Sequence, residues 1–274
     1  MAKCKRCGKK GLFLKVNYDG YCEECERAVR IERAKAEQAR KELAKQKALE
    51  RVNAIPEREI VLSSEKRNRV SGIEPDIPTS NITPKGVYNS FVVVDTETTG
   101  LKPTSDRIIE LAAIRFVDGM PSERFHTLIN PGKHIPEDAT AVNNITDDMV
   151  GNAPTIAQVL PAFEEFIGKD IFVAHNLKFD RSFLYHSGCN LYDTKRKYID
   201  TLEQARKILK APKRKKDEFG LWDIDYDSDY DVLDYQLETL CDYYGVMLVD
   251  AHRADMDALA TGDLFLELVE EKQG

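Results

Sequence analysis

A short apolar run that ends in two acids constrains this sequence more than any other stretch. Residues 91–94 read F-V-V-V, a β-branched run typical of a buried strand, and Asp95 and Glu97 follow at a spacing of two. Because side chains alternate along a strand, both carboxylates lie on one face. Two anions that close together repel unless a cation lies between them, so the stretch indicates a divalent metal site. The alternative is a strand that ends in a hydrated turn, with the acids as caps.

The composition limits the class of protein. A chain of 274 residues with 42% hydrophobic side chains is long enough for one sizeable α/β domain and an appendage. No apolar run approaches the length of a bilayer span, and the N-terminus lacks the apolar core of a signal peptide. We therefore expect a cytoplasmic protein with no membrane partner. Six cysteines, four of them in two C-x-x-C pairs, indicate metal binding in a reducing compartment.

The charges are unevenly distributed along the chain. Residues 1–70 hold 19 Lys and Arg against 11 Asp and Glu, a net charge of +8, and the remainder holds 21 against 36, a net charge of −15. A basic arm suits nucleic acid or another acidic partner. An acidic body repels phosphates unless bound metal ions reverse the local sign.

Four cysteines near the start have the spacing of a zinc site. Cys4 and Cys7, followed by Cys22 and Cys25, form C-x2-C-x14-C-x2-C, close to a structural four-thiolate site. The pattern resembles a zinc ribbon or treble clef. So small a module, residues 1–25, would bury too little surface to fold without Zn²⁺. A disordered tail with free cysteines is the alternative.

Two segments separate this module from the main domain. Residues 26–52 are rich in Ala, Glu, Lys, Arg and Gln without Gly or Pro, which predicts a helix. Its weak apolar stripe indicates a solvated spacer. Residues 53–88 carry four prolines among small polar residues and are predicted to be a linker. The zinc module and the helix together are candidates for recruiting a protein partner.

The remaining chain, residues 89–274, predicts an α/β domain. Strands at 107–117 and 124–129 follow the opening strand as an antiparallel meander, and later strands alternate with helices. This order predicts a mixed sheet flanked by helices. A polar insertion at 210–234 interrupts the domain, and its basic half is a candidate contact to a nucleic-acid backbone.

Three further side chains supply partners for the first acid pair. Asp180 begins a predicted helix just after a buried strand, and His252 precedes Asp257 by five residues. Residues at that spacing do not share a helical face, so His252 is predicted at the helix entrance and Asp257 inside the helix. Four acids without a cysteine match the oxygen ligands of Mg²⁺. Histidine titrates near neutral pH and suits a general base.

Three segments together carry a family resemblance. D-T-E-T-T-G-L, A-H-N-L-K-F-D and H-R-A-D-M-D-A, in this order, resemble the three motifs of the DEDDh subclass of DnaQ-like exonucleases, a family that includes proofreading subunits of bacterial DNA polymerase III. The resemblance covers residues 90–271. It implies an RNase H-like fold, a 3′-to-5′ exonuclease that releases nucleoside 5′-monophosphates, and two Mg²⁺ or Mn²⁺ ions.

Carried over by position, the resemblance implies a role for each site residue. The metal-binding and catalytic acids would be Asp95, Glu97, Asp180 and Asp257, with His252 as the catalytic general base. Contacts to the last nucleotide would come from Thr98, Leu101 and Asn176, for which turn or loop formation is the alternative.

Four neighbouring residues are interpreted differently. His175 is predicted to be a hydrogen-bonded structural residue, and Asp255 a solvated neighbour of the site. Where relatives often have a histidine and a glycine, this chain has Asn143 and Asn144. Asparagine tolerates the left-handed conformation, so we expect the turn to persist.

Three functions remain open at this stage. The leading hypothesis is a metal-dependent exonuclease that acts on single-stranded or frayed DNA 3′ ends. The alternatives are an exoribonuclease and a nucleic-acid-binding adapter recruited through the zinc module. No motif in the sequence distinguishes DNA from RNA, because that choice depends on contacts near one hydroxyl group.

Overall fold

The computed structural model describes residues 2–11, 14–65, 67–83, 86–191, 195–216, 222–225 and 227–273. The chain divides into two compact units, which we call the cysteine unit (Met1–Lys47) and the main unit (Ala48–Gly274). In the cysteine unit, β1 (Ala2–Lys3) pairs antiparallel with β2 (Lys10–Gly11). Helix α1 (Glu23–Asn53) begins directly after the third cysteine and covers the predicted spacer.

A five-stranded mixed sheet forms the centre of the main unit. Its strands are β3 (Ser90–Thr98), β4 (Ile108–Val117), β5 (Met120–Leu128), β6 (Ile171–Ala174) and β7 (Tyr198–Asp200). In the order β5-β4-β3-β6-β7, the pairs that involve β4 are antiparallel, whereas β3, β6 and β7 are parallel. The predicted meander and mixed sheet are therefore confirmed. Asp118 and Gly119 turn β4 into β5 with φ angles of 50° and 76°, as a two-residue hairpin requires.

Helices cover both faces of this sheet. They are α2 (Glu137–Asn143), α3 (Asp147–Val150), α4 (Ile156–Ile167), α5 (Leu177–His186), α6 (Thr201–Ile208), α7 (Leu237–Tyr244) and α8 (Ala254–Gln273). Residues of α4 and α5 pack on one face, and residues of α6, α7 and α8 pack on the other. The insertion contains a hairpin of β8 (Lys213–Lys216) and β9 (Trp222–Asp225) that the sequence did not predict, and its residues 217–221 and 226 lie outside the described chain.

The alternation along β3 decides which face carries the acids. Phe91 and Val93 pack into the core under α8, whereas Val92 and Val94 pack toward α4 and α5. Continuing that period of two places Asp95 and Glu97 on the α8 face. Within the described ranges, no helix combines the length and apolar character needed to cross a membrane.

The described residues of the predicted linker pack along the sheet of the main unit and do not form a solvated linker. We call residues 54–65 and 67–83 the edge strap. It exchanges backbone hydrogen bonds with Arg124 on edge strand β5, and the Ser80 N–H donates to Tyr198 O on the opposite edge strand, β7, at 2.6 Å. Ile55 and Ile82 are buried in the core under α8. Prolines suit this role, because an extended edge segment does not need every backbone donor.

We expect the strap to contribute to stability through its buried isoleucines. Ile82 is 4% exposed and Ile73, nine residues earlier, is 96% exposed. Ile82→Ala should lower the free energy of unfolding by about 2 kcal/mol through lost burial and a cavity, whereas Ile73→Ala should change it by less than about 0.5 kcal/mol. Chemical denaturation of both full-length variants measures the difference. Equal, near-zero effects would mean that the segment is a free linker after all.

Candidate active site

The sequence-predicted acids lie at the carboxyl ends of the parallel strands. Asp95 and Glu97 are near the end of β3, where the register with β4 shifts between Glu97 and Thr98. Asp95 lies opposite Ala112, a small residue that leaves space on the α8 face. In sheets with parallel strands, this edge is where ligands bind, because the following helices and loops diverge there.

Helix α8 brings a second group of side chains to β3. Asp257 lies in its first turn, and His252 precedes the helix with a φ angle of 72°. The His252 backbone N–H donates to Asp257 Oδ2 at 2.9 Å. Glu97, His252 and Asp257 each place a potential ligand atom within 4.8 Å of the others.

Helix α5 brings the fourth acid. Asp180 is buried in its first turn and accepts a hydrogen bond from Thr96 Oγ1 at 2.8 Å, which ties it to β3. Asn176 begins the helix in the left-handed conformation. The Asp200 carboxylate, at the end of β7, accepts the backbone N–H groups of Asn176 and Leu177 at 3.0 and 3.1 Å. These bonds set the direction of α5 and hence the position of Asp180.

The acids influence one another strongly. Burial, and then the charges of Asp180, Asp257 and Glu97, raise the pKa of Asp95 well above its usual value. Burial and the charge of Asp257 raise the pKa of Glu97 to about 8. Burial also raises the pKa of Asp180 and of Asp257 to about 7 each. Ionised carboxylates this close together are therefore unfavourable unless positive charge is added to the site.

These residues fit the divalent ions that the resemblance implies. Asp257 Oδ1 is buried and has no hydrogen-bond partner among the described residues. A buried carboxylate oxygen without a donor is unfavourable unless a cation binds it. The set offers carboxylate oxygens without sulfur, the ligand type that Mg²⁺ and Mn²⁺ prefer.

The raised pKa values predict how stability depends on pH and metal. In metal-free protein the folded state holds protons on these acids at pH values where the unfolded state has lost them, between about pH 4 and pH 8. The free energy of unfolding should therefore fall as pH rises through that window. Mn²⁺ should raise the melting temperature more at pH 8 than at pH 5, because it binds the deprotonated acids.

Differential scanning calorimetry at the two pH values, with and without Mn²⁺, measures this difference. Asp257→Asn removes one of the repelling charges and should reduce both the pH dependence and the Mn²⁺ effect. An Mn²⁺ effect that is the same at both pH values would contradict the assignment of these acids as ligands.

Two cavities flank the acid cluster. One, of about 370 Å³, is lined by Glu97, Leu101, Asn143 and Phe179 among others. The other, of about 530 Å³, has Asn176, His252 and Asp257 in its wall. Ligand-sized cavities on both sides of the acids give a substrate room to cross the site.

The three residues predicted to contact the substrate differ in their exposure and hydrogen bonding. The Leu101 side chain is 81% exposed in the smaller cavity. The Thr98 hydroxyl instead donates to Gly100 O at 2.6 Å, as turn formation requires. Asn176 lines the larger cavity, and its left-handed backbone begins α5. Substrate contact by these three residues stays a prediction.

The asparagine pair holds the loop beside Glu97. Asn144 has φ 59° and ψ 17°, so the predicted left-handed turn is confirmed. Asn143 is a site residue whose contacts the sequence did not predict. Its buried amide donates to Thr98 O at 3.4 Å, accepts the Ile145 N–H at 3.0 Å and bonds the Glu97 carboxylate, which opposes the rise in its pKa. The only sequence signal was the departure from the family pattern at this position.

Two predictions about neighbouring residues have opposite outcomes. His175 is structural, as predicted: its Nδ1 lies 2.9 Å from Thr201 Oγ1 and its Nε2 lies 3.0 Å from Tyr235 O. Asp255 was predicted to be solvated, and this is wrong. Its side chain is buried and accepts a hydrogen bond from Arg124 Nη1 at 2.8 Å. The prediction failed because Arg124 comes from β5, far away in sequence.

The cysteine unit brings its four thiols together. The Sγ atoms of Cys4, Cys7, Cys22 and Cys25 all lie within 4.8 Å of one another. Cys7 Sγ and Cys22 Sγ are 3.8 Å apart. Tetrahedral coordination with Zn–S bonds of about 2.3 Å requires S···S distances of about 3.8 Å. The Cys22 backbone N–H donates to Cys4 Sγ at 3.3 Å, which lowers the pKa of Cys4 to about 6 and favours a thiolate.

Known proteins are similar to this chain over its main unit. Residues 92–265 match the RNase_T exonuclease family. The DNA polymerase III subunit epsilon of Treponema pallidum is 35% identical over 182 residues, which are 66% of this chain and 76% of that protein. The PolC-type DNA polymerase III of Oceanobacillus iheyensis is 37% identical over 185 residues, 66% of this chain. The chain spans only 12% of the length of that polymerase.

Solved structures show a similar fold. Exonuclease X in complex with 5′ overhanging duplex DNA has a TM-score of 0.50 at 24% identity, over 66% of this chain and 91% of that one. Exonuclease I of E. coli in complex with a dT13 oligonucleotide has a TM-score of 0.51 at 20% identity, over 68% of this chain and 41% of that one. At these identities the similarity concerns the fold alone.

Proposed function

This chain belongs to the RNase_T exonuclease family, and from that premise we propose that it is a metal-dependent 3′-to-5′ exonuclease that releases nucleoside 5′-monophosphates from DNA. The resemblance to DnaQ-like exonucleases, predicted from three motifs, is confirmed by these matches. The chain is thus a nucleic-acid exonuclease. The direction, the sugar and the metal ions are the proposed part.

One observation carries the proposal. Two distant segments bring Glu97, His252 and Asp257 within ligand distance of one another, and a third brings Asp180 close enough for its charge to raise the pKa of Asp95. This is the set of four acids and one histidine that the motifs predicted. A purely structural cluster of like charges would destabilise the fold without a compensating role.

Each residue has a distinct proposed role in phosphodiester hydrolysis. The four acids would hold two divalent cations, which supply an activated water and neutralise the charge that develops on the phosphate. His252 is exposed at the edge of the larger cavity, where its imidazole would accept the proton of the attacking water. Asp257 accepts the His252 backbone N–H and so keeps base and acid together.

The substrate would enter with its 3′ end between the two cavities. Leu101, exposed in the smaller cavity, would pack against the terminal base, and Thr98 and Asn176 would border the last nucleotide. A site that takes the last nucleotide in this way favours single-stranded or frayed ends, because a paired terminal base would have to leave its stack. DNA is proposed because the relatives are DNA polymerase III proteins.

The proposal is tested with matched single-stranded DNA and RNA oligonucleotides, labelled at either end, in the presence of Mg²⁺. We expect the 3′ label on DNA to appear first as a 5′-mononucleotide, and the 5′-labelled strand to shorten stepwise. Early release of the 5′ label would show that degradation runs from the 5′ end to the 3′ end. Faster degradation of RNA would favour the exoribonuclease alternative, and binding without turnover would favour the adapter.

We also propose that the cysteine unit holds one structural Zn²⁺ ion. The supporting observations are the S···S distance and the four converging thiols. A closed four-sulfur site leaves no open coordination position, so it would stabilise the fold without taking part in catalysis. Recruitment of a protein partner through this unit and α1 stays a prediction.

We expect elemental analysis to find about one zinc ion per chain. Replacing Cys4 and Cys22 together with serine should abolish it, because two soft ligands are lost. Cys189→Ser, at a buried cysteine outside the cluster, is the matched control and should retain the metal. Wild-type protein without zinc would refute the assignment.

A further inference from the structure

We propose that Glu110 is a positioning residue that holds the loop carrying His252, a proposal that rests on the nuclease function above. Glu110 lies on β4 directly opposite Glu97, so its side chain is on the same face as the site acids. It is completely buried. A buried carboxylate beside the four site acids requires an explanation, because like charges in a buried site repel.

The contacts of Glu110 lead to the loop. Its Oε1 accepts hydrogen bonds from Arg253 Nη2 at 2.7 Å and Nε at 3.1 Å, and Oε2 accepts the Ala254 backbone N–H at 3.0 Å. His126 Nε2 lies 2.8 Å from Oε1. Burial would raise the pKa of Glu110, but these hydrogen bonds lower it to about 2. The carboxylate therefore already has a positive partner from the protein itself, the Arg253 guanidinium.

The loop requires a restraint of this kind because its backbone is strained. Asp250 and His252 have φ angles of 53° and 72°, in the left-handed region. That conformation costs about 1 kcal/mol or more for a residue other than glycine. Asp257 holds His252 itself through the backbone N–H, and Glu110 holds the next two residues, Arg253 and Ala254. Without Glu110, the loop would be free to relax and move the imidazole away from Glu97 and Asp257.

A double-mutant experiment distinguishes positioning from simple stabilisation. Full-length Glu110→Gln is compared with wild type in the native background and in a His252→Ala background, with Mg²⁺ and a labelled oligonucleotide. In the native background we expect kcat to fall about 10- to 100-fold, as for residues that orient a catalytic ligand, with KM within about 3-fold. In the His252→Ala background the further loss should be less than about 3-fold, because residues that act as a unit are not additive.

One control variant and three contradicting results complete this experiment. Glu164→Gln breaks another partly buried ion pair, Arg67–Glu164 on α4, and should leave kcat unchanged. An unchanged kcat in Glu110→Gln, or an equal loss in both backgrounds, would overturn the positioning role. A lower Mn²⁺ stoichiometry by calorimetry would make Glu110 a metal ligand and would also overturn it.

Misfolding of the variant and inactivity of the wild type can each be distinguished from loss of the positioning role. If Glu110→Gln does not fold, Arg253→Lys carries the same comparison, since it keeps the charge and loses the two-point contact with Glu110. An inactive wild type would overturn the proposed nuclease function and this proposal with it. An active wild type matched by an equally active variant overturns the positioning role alone.

Discussion

Asp95→Asn should reduce kcat at least about 10³-fold while leaving the fold intact. The substitution keeps the size of the side chain and removes the charge at the centre of the cluster, which interacts with Asp180, Asp257 and Glu97. Losing one ligand of a metal pair removes stabilisation of the transition state, where single preorganised groups typically contribute about 10² to 10³ in kcat and members of a unit more. Single-turnover hydrolysis of a 3′-labelled oligonucleotide measures the loss.

The same variant should be more stable than wild type without metal. Asp95 has a raised pKa, so its ionisation destabilises the folded state as pH rises. Melting temperatures in chelator at pH 8 should therefore increase in Asp95→Asn, in the opposite direction to activity. Asp118→Asn is the matched control. Asp118 lies in the turn between β4 and β5, in a left-handed conformation that asparagine accepts. Near-wild-type kcat in Asp95→Asn would show that this carboxylate does not serve the reaction.

Gly262→Ala should destabilise the main unit by about 3 kcal/mol, although alanine is the better helix former. In an exposed helix the exchange would gain about 1 kcal/mol. Here a Cβ would lie 2.2 Å from Phe116 Cζ and 2.3 Å from Cε2. The Phe116 ring is fully buried and stacked on Phe91, with centroids 4.9 Å apart and planes at 9°. It has no space to retreat, so overpacking outweighs helix propensity.

A double mutant tests the cause of that loss. Phe116→Leu removes ring atoms from the contact, so the combination with Gly262→Ala should be less destabilised than the two single effects added. Chemical denaturation of all four proteins measures the coupling. Additive effects, or a stabilised Gly262→Ala, would contradict overpacking against Phe116 as the cause of the loss.

Local sequence patterns were sufficient to predict the strands and the last helix on which the site is built. The β-branched run before Asp95 and the hairpin residues Asp118 and Gly119 predicted β3, β4 and β5, because strand periodicity and turn conformation depend on neighbouring residues. The same reasoning correctly placed His252 outside the last helix and Asp257 inside it. The short helices α2 and α3 were missed, since neither is long enough to show a clear period.

The sequence by itself determined which faces and ends of the elements carry the acids, because alternation along a strand and the pitch of a helix follow from backbone geometry. Only the tertiary structure decided which partners the neighbouring acids take: Asp255 pairs with Arg124 and Glu110 with Arg253. It also decided that the proline-rich strap covers both sheet edges. These outcomes depend on contacts between residues distant along the chain, and no local period specifies which charged side chains meet when the helices pack on the sheet.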